Sequence, residues 1–204
     1  MEKFNRQILH KNIVNTFIYG IVWGLLEIIA AALVNPNNIF INGLIFSFIS
    51  VFILVFAKKS IDYKFSLIFV SIIALFIILP ARGYSLTILI AIFSEALIAE
   101  IIFITLKFRL LTSIATGALL FLYSFIFGLI SHSSLHSDYL VYFYKKIFSG
   151  ILGHEYDANF YFVVSLCGMI SLLIGSAVGW LSWQAAMRFE DKIITKIDLY
   201  FLAE

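Results

Sequence analysis

The chain reads as an all-α integral membrane protein, a bundle of six transmembrane helices with both termini in the cytoplasm. Three observations predict this. Only 13% of the 204 residues are charged and 62% are hydrophobic, against about 25% and 45–50% in a soluble domain. Six apolar stretches follow one another, most of them close to the ~20 residues that a spanning helix needs. The basic residues also fall mainly on alternate connections, as the cytoplasmic side of a multi-pass protein requires. A soluble globule of this size would have more surface than so few charged groups could cover. Two prolines and one cysteine exclude a disordered chain, a collagen and a disulfide scaffold. The net charge of +2 is too small and scattered for a nucleic-acid surface.

The first span covers 13–34. Ala30, Ala31 and Ala32 offer small residues at a possible leader-cleavage position. Yet the apolar run is longer than a leader's core and contains Glu27, so it is expected to stay as a helix. The second span covers 39–57. The third, 65–80, is short and closed by Pro80, which predicts an irregular or re-entrant outer end. Spans four and five, 86–106 and 110–131, are separated by a tight basic connection. The sixth covers 160–187 and completes a transmembrane domain over 1–187. Its Gly175 and Gly179, followed by Trp180 and Trp183, read as a close-packing surface with an interfacial belt.

Charge sets the orientation. Lys3, Arg6, Lys11, Lys58, Lys59, Lys64, Lys107, Arg109, Arg188, Lys192 and Lys196 fall on one side, and only Arg82, Lys145 and Lys146 on the other. That places both termini in the cytoplasm. The 132–159 loop is then external, with an aromatic middle suited to the headgroup level. After Met187, Phe189, Ile193, Ile197 and Tyr200 recur at helical spacing. This predicts a cytoplasmic amphipathic helix over 188–204, lying on the membrane or on a partner.

Ionisable groups inside the spans each cost about 3 kcal/mol or more against lipid, so they need a reason. Three occur: Glu27, Glu95 and Glu100. Glu27 shares a helical stripe with Gly20, Gly24 and Ala31, whose glycines let another backbone approach. The stripe is either a packing seam in which a hydroxyl or backbone group satisfies Glu27, or one wall of a site. Glu95 lies roughly 13 Å below the outer end of its helix, between Ala91 and Ala99. The two carboxyl groups are placed to converge on an outward-facing cavity. Arg82, beside Gly83 and Tyr84, is either their countercharge and a substrate contact or an arginine snorkelling to the interface. Glu100 is about 140° round the helix from Glu95, nearer the cytoplasm, where Lys107 or a partner can meet it. Glu27, Glu95, Arg82, Tyr84 and Trp23 form the candidate substrate-binding set, and they suit a ligand with an amine or cationic group and an aromatic ring.

His132, His136 and Asp138, with His154, Glu155 and Asp157, are residue types that zinc accepts. They match no specific spacing, and a solvated loop or lid is the plainer reading. Cys167 reads as a buried structural thiol. No nucleophile elbow, HExxH or P-loop occurs, so the chain is not expected to be an enzyme, and no cofactor is implied.

The Gly20-Ile-Val-Trp-Gly-Leu-Leu-Glu27 and Glu95-Ala-Leu-Ile-Ala-Glu100 segments, with the six-span topology, resemble the S component of energy-coupling factor transporters, over about residues 10–187. The resemblance implies a subunit of the cell (inner) membrane. Such a subunit binds a vitamin or related micronutrient from outside and docks on a coupling protein carrying two ATPases. The family's first-helix small-residue motif contacts the coupling protein, and Gly20 and Gly24 occupy the matching place. Glu27 on the same stripe is a departure. Two other classes fit the composition: a structural scaffold of the MreD kind, which needs no polar cavity, and an intramembrane metalloenzyme built on the loop histidines.

Overall fold

The computed structural model describes residues 2–34, 39–132 and 160–201. Over them the chain forms six α-helices: α1 (Glu2–Leu33), α2 (Ile39–Ser60), α3 (Ser66–Arg82), α4 (Leu86–Leu106), α5 (Leu110–His132) and α6 (Phe160–Phe201). No strand occurs among the described residues. Five of the helices contain a stretch long and apolar enough to cross a membrane: Leu9–Leu33, Asn42–Ser60, Leu86–Leu106, Leu110–Ile130 and Val164–Phe189. Helix follows from elementary cost here, because in lipid each backbone donor must find its acceptor within the segment. The chain is thus a multi-pass membrane bundle.

Helix α3 is the short one, with 17 residues spanning about 26 Å at 1.5 Å each. The irregular end expected at Pro80 does not occur: the helix runs through Pro80 to Arg82. Pro80 sits in the last turn, where its missing N–H forfeits a single bond to the Phe76 carbonyl. The stop comes instead at Gly83, whose φ of 88° is a conformation that side-chain-bearing residues avoid. Helix α6 runs past Met187 without interruption to Phe201.

Helices α1, α3, α4, α5 and α6 form an open arc in which each neighbours the next, and α2 touches all five. Accordingly Val51, Leu54, Val55 and Ala57 of α2 are fully buried. Two seams are the tightest. In one, a Cβ on Gly20 would lie 2.6 Å from the Ile73 Cβ, and one on Gly24 would lie 2.9 Å from that of Ile77. In the other, Gly117 of α5 lies directly on the backbones of Gly175 and Gly179 of α6. Between helices in lipid, association depends on such close van der Waals approach.

The connections sort to two ends. At one, Asn15 Nδ2 donates to the Ser60 carbonyl (3.1 Å) and the Tyr19 and Ser60 hydroxyls pair at 2.8 Å. Phe108 stacks on Trp183 (4.7 Å) and Phe56 meets Phe189 (5.7 Å) at the same end. Thus the start of the α1 span, the α2–α3 and α4–α5 connections and the end of the α6 span lie together. With them lie Lys58, Lys59, Lys64, Lys107, Arg109 and Arg188. Arg82 lies at the opposite end.

Candidate functional site

At the Arg82 end a partly open cavity of about 330 Å³ lies against α2. Glu27 of α1, Phe46 of α2, Arg82 of α3, Glu95 of α4, and Tyr123 and Phe127 of α5 all line it. Each reaches it for a traceable reason. Gly20 and Gly24 draw α1 against α3, which turns Glu27 inward toward the end of α3. The short α3 leaves Arg82 level with that carboxyl group. Small residues, Gly43, Ala91 and Gly128, keep the space open.

Glu95 is 5% exposed, and each of its oxygens has a donor. Ser50 donates to Oε2 at 2.5 Å and Ser124 to Oε1 at 2.9 Å. Two hydroxyls from different helices therefore tie this α4 carboxyl group to α2 and α5. Glu27 is equally buried at 3% but less well served. The Trp23 Nε1–H donates to its Oε1 at 3.3 Å, and Arg82 Nη1 stands 3.9 Å from its Oε2. That last distance makes a charge contact and is too long for a hydrogen bond. The guanidinium also lies over the Phe46 ring, 5.2 Å from its centroid, a cation–π position. The Tyr123 hydroxyl is buried at the wall, without a hydrogen-bond partner among the described residues.

Of the substrate-binding set read from the sequence, the structure brings Glu27, Glu95 and Arg82 together. Trp23 is wholly buried and does not line the cavity; it serves by donating to Glu27. Tyr84 is 87% exposed and stands outside, because the turn at Gly83 carries it away from the bundle. The partner-docking glycines, Gly20 and Gly24, are covered by Ile73 and Ile77 of the same chain, so their surface is used internally. A partner docking there would have to displace α3.

Glu100 has a different neighbour from the one expected. Lys107 lies beyond the end of α4 with its side chain exposed, whereas Lys58 Nζ donates to Glu100 Oε1 at 2.7 Å. The Phe65 N–H (2.9 Å) and the Leu67 N–H (2.8 Å) donate to the same carboxylate. Glu100 therefore caps α3 from a neighbouring helix, meeting donors that a helix start leaves without partners. It belongs to the architecture of the basic end and does not line the cavity.

No family model matches the chain, and neither a curated protein nor a solved structure does. The functional reading therefore rests on the site.

His136 and His154 lie outside the described residues, and so does the side chain of His132. Among the described residues no group of three metal-ligating side chains occurs. Sequence reasoning passed over Ser50, Ser124, Phe46, Tyr123 and Phe127. Serines and aromatics are common in apolar helices, and only the turn of each helix toward the cavity sets these apart.

Proposed function

We propose that the chain is the substrate-binding subunit of a transporter of the energy-coupling factor type. It captures a vitamin-like small molecule from outside the cell, and a separate coupling protein with two ATPases drives the uptake. The observation that carries this reading is the cavity itself, in which Glu27, Glu95 and Arg82 face one space of about 330 Å³. Charged groups within a membrane are expensive and mark binding sites or pathways, and a volume of about 300 Å³ or more is enough for a small ligand. A scaffold needs only packed apolar helices, so the cavity favours a receptor over the MreD-like alternative.

The charge distribution supports the direction of binding. The basic connections lie opposite the cavity, and the positive-inside rule turns that basic end, with both termini, toward the cytoplasm. The cavity then opens outward from the cell membrane, where an uptake receptor meets its substrate.

The test is purification of the tagged full chain from its native membrane in mild detergent. The expected result is co-purification of a coupling protein and a pair of ATPases in fixed ratio, with a small molecule released on denaturation. Recovery of the chain alone and empty refutes the proposal. Recovery with cell-wall synthesis proteins instead favours the scaffold.

A further inference from the structure

The lining of the cavity is chemically lopsided. It presents two carboxyl groups and one cationic group, Arg82, so the fully ionised site carries one net negative charge. Glu95 is satisfied by Ser50 and Ser124. Glu27 is not: its Oε2 takes no hydrogen bond among the described residues, and the guanidinium stands off at 3.9 Å. A carboxylate oxygen offers two acceptor positions, so the deepest acceptor of α1 is under-used in a group almost fully buried. Arg82 is held loosely in return, by one ring at 5.2 Å and by that distant charge, with its side chain 28% exposed.

Resting on the substrate-binding reading above, we infer that the cavity takes a small aromatic monocation, a ring with a primary amine or amidine arm. The charged arm takes the place of the Arg82 guanidinium at Glu27. Arg82 is thus a built-in stand-in for the ligand. The recognition elements are already present in rehearsal: Phe46 holds a cation over its face, and Tyr123 and Phe127 stack with centroids 5.6 Å apart, offering a flat wall for a ring. Size agrees. A cavity of about 150 Å³ holds benzene, and roughly twice that volume admits one ring with a short arm. An anionic ligand would bring a third negative group beside the two carboxyls. A neutral one can donate to Glu27 but supplies no positive charge, and so makes the weaker hydrogen bond.

The probes are benzamidine, benzyl alcohol and benzoate, titrated calorimetrically into the purified full chain in lipid nanodiscs. Benzamidine is expected to bind, benzyl alcohol to bind at least tenfold more weakly, and benzoate not at all. Arg82→Gln tightens benzamidine binding about tenfold, because a competing occupant lowers the competent fraction and its removal restores it. Glu27→Gln weakens binding at least as much. The opposite signs separate recognition from misfolding, and if Glu27→Gln does not fold, the gain in Arg82→Gln decides alone. Benzyl alcohol or benzoate binding as tightly as benzamidine, or Arg82→Gln weakening benzamidine, overturns the inference and leaves the substrate-binding reading standing. Binding of no probe overturns the inference, and if the native preparation is also empty both readings fall.

Discussion

Replacing Glu100 with alanine removes one acceptor on which three donors converge: Lys58 Nζ at 2.7 Å and the N–H groups of Phe65 and Leu67 at 2.9 and 2.8 Å. The Glu100 side chain is 1% exposed and that of Lys58 13%, so the orphaned ammonium has little water. Breaking a buried pair from one side costs about 3–5 kcal/mol. Lys58 recovers part of this, because its Nζ also reaches the Tyr63 carbonyl (3.2 Å) and Ser66 Oγ (3.4 Å). The buried Leu67 N–H adds about 1 kcal/mol or more when left unmet. A net loss of about 4 kcal/mol follows, or roughly 8–16 °C in melting temperature at 2–4 °C per kcal/mol. Glu100→Gln retains an acceptor oxygen and loses about half as much. Lys58→Met combined with Glu100→Gln should lose less than the two singles together, by about 1 kcal/mol or more. The assay is survival of the monodisperse size-exclusion peak after stepwise heating in detergent. A Glu100→Ala protein melting within about 2 °C of the parent would refute the reasoning.

Ser50→Ala strips the 2.5 Å donor from Glu95 and should cost about 2 kcal/mol, the scale of a hydrogen bond to a charged or strongly polar group, read by the same heating series. Gly117→Ala forces a Cβ into the backbone of α6, where nothing can give, and should cost about 1–3 kcal/mol. Gly168→Ala is its control: the nearest atom would be 3.7 Å away, and the gain in helix propensity makes it neutral or stabilising by up to about 1 kcal/mol. Equal melting of the two glycine variants would contradict the seam. Phe65 holds φ at 65° with an exposed ring, so Phe65→Gly should raise stability by about 1 kcal/mol; a lower melting temperature would show that the ring contributes packing.

The helices were legible because a 20-residue apolar run in lipid has few alternatives, and α4 and α5 begin where the sequence places them. What periodicity does not encode is which neighbour a face meets. Gly20 and Gly24 announce close approach, but nothing in them says that α3 rather than a second protein fills the gap. Glu100 lies seven positions from Lys107, a helical near-repeat, yet Lys58, 42 positions away, reaches it because the α2–α3 turn folds over that face. The convergence of Glu27 and Glu95 was readable from depth and small neighbours. Their donors were not, since a serine in an apolar helix more often bonds its own preceding turn, as Ser176 does with the Leu172 carbonyl at 2.7 Å.

The two glycine-backed seams have a mechanical consequence. Each welds a pair of helices, α1 with α3 and α5 with α6, at distances that leave no slack for sliding. Among the described residues only α2 and α4 bridge the two pairs, and the cavity lies where they meet. Any widening or narrowing of that space must therefore come from rocking one pair against the other, like two jaws on a shared hinge. Glu27 and Arg82 ride on one jaw and Tyr123 and Phe127 on the other. A ligand that bridges carboxyl and ring walls would draw those jaws together, and its release would need them to part.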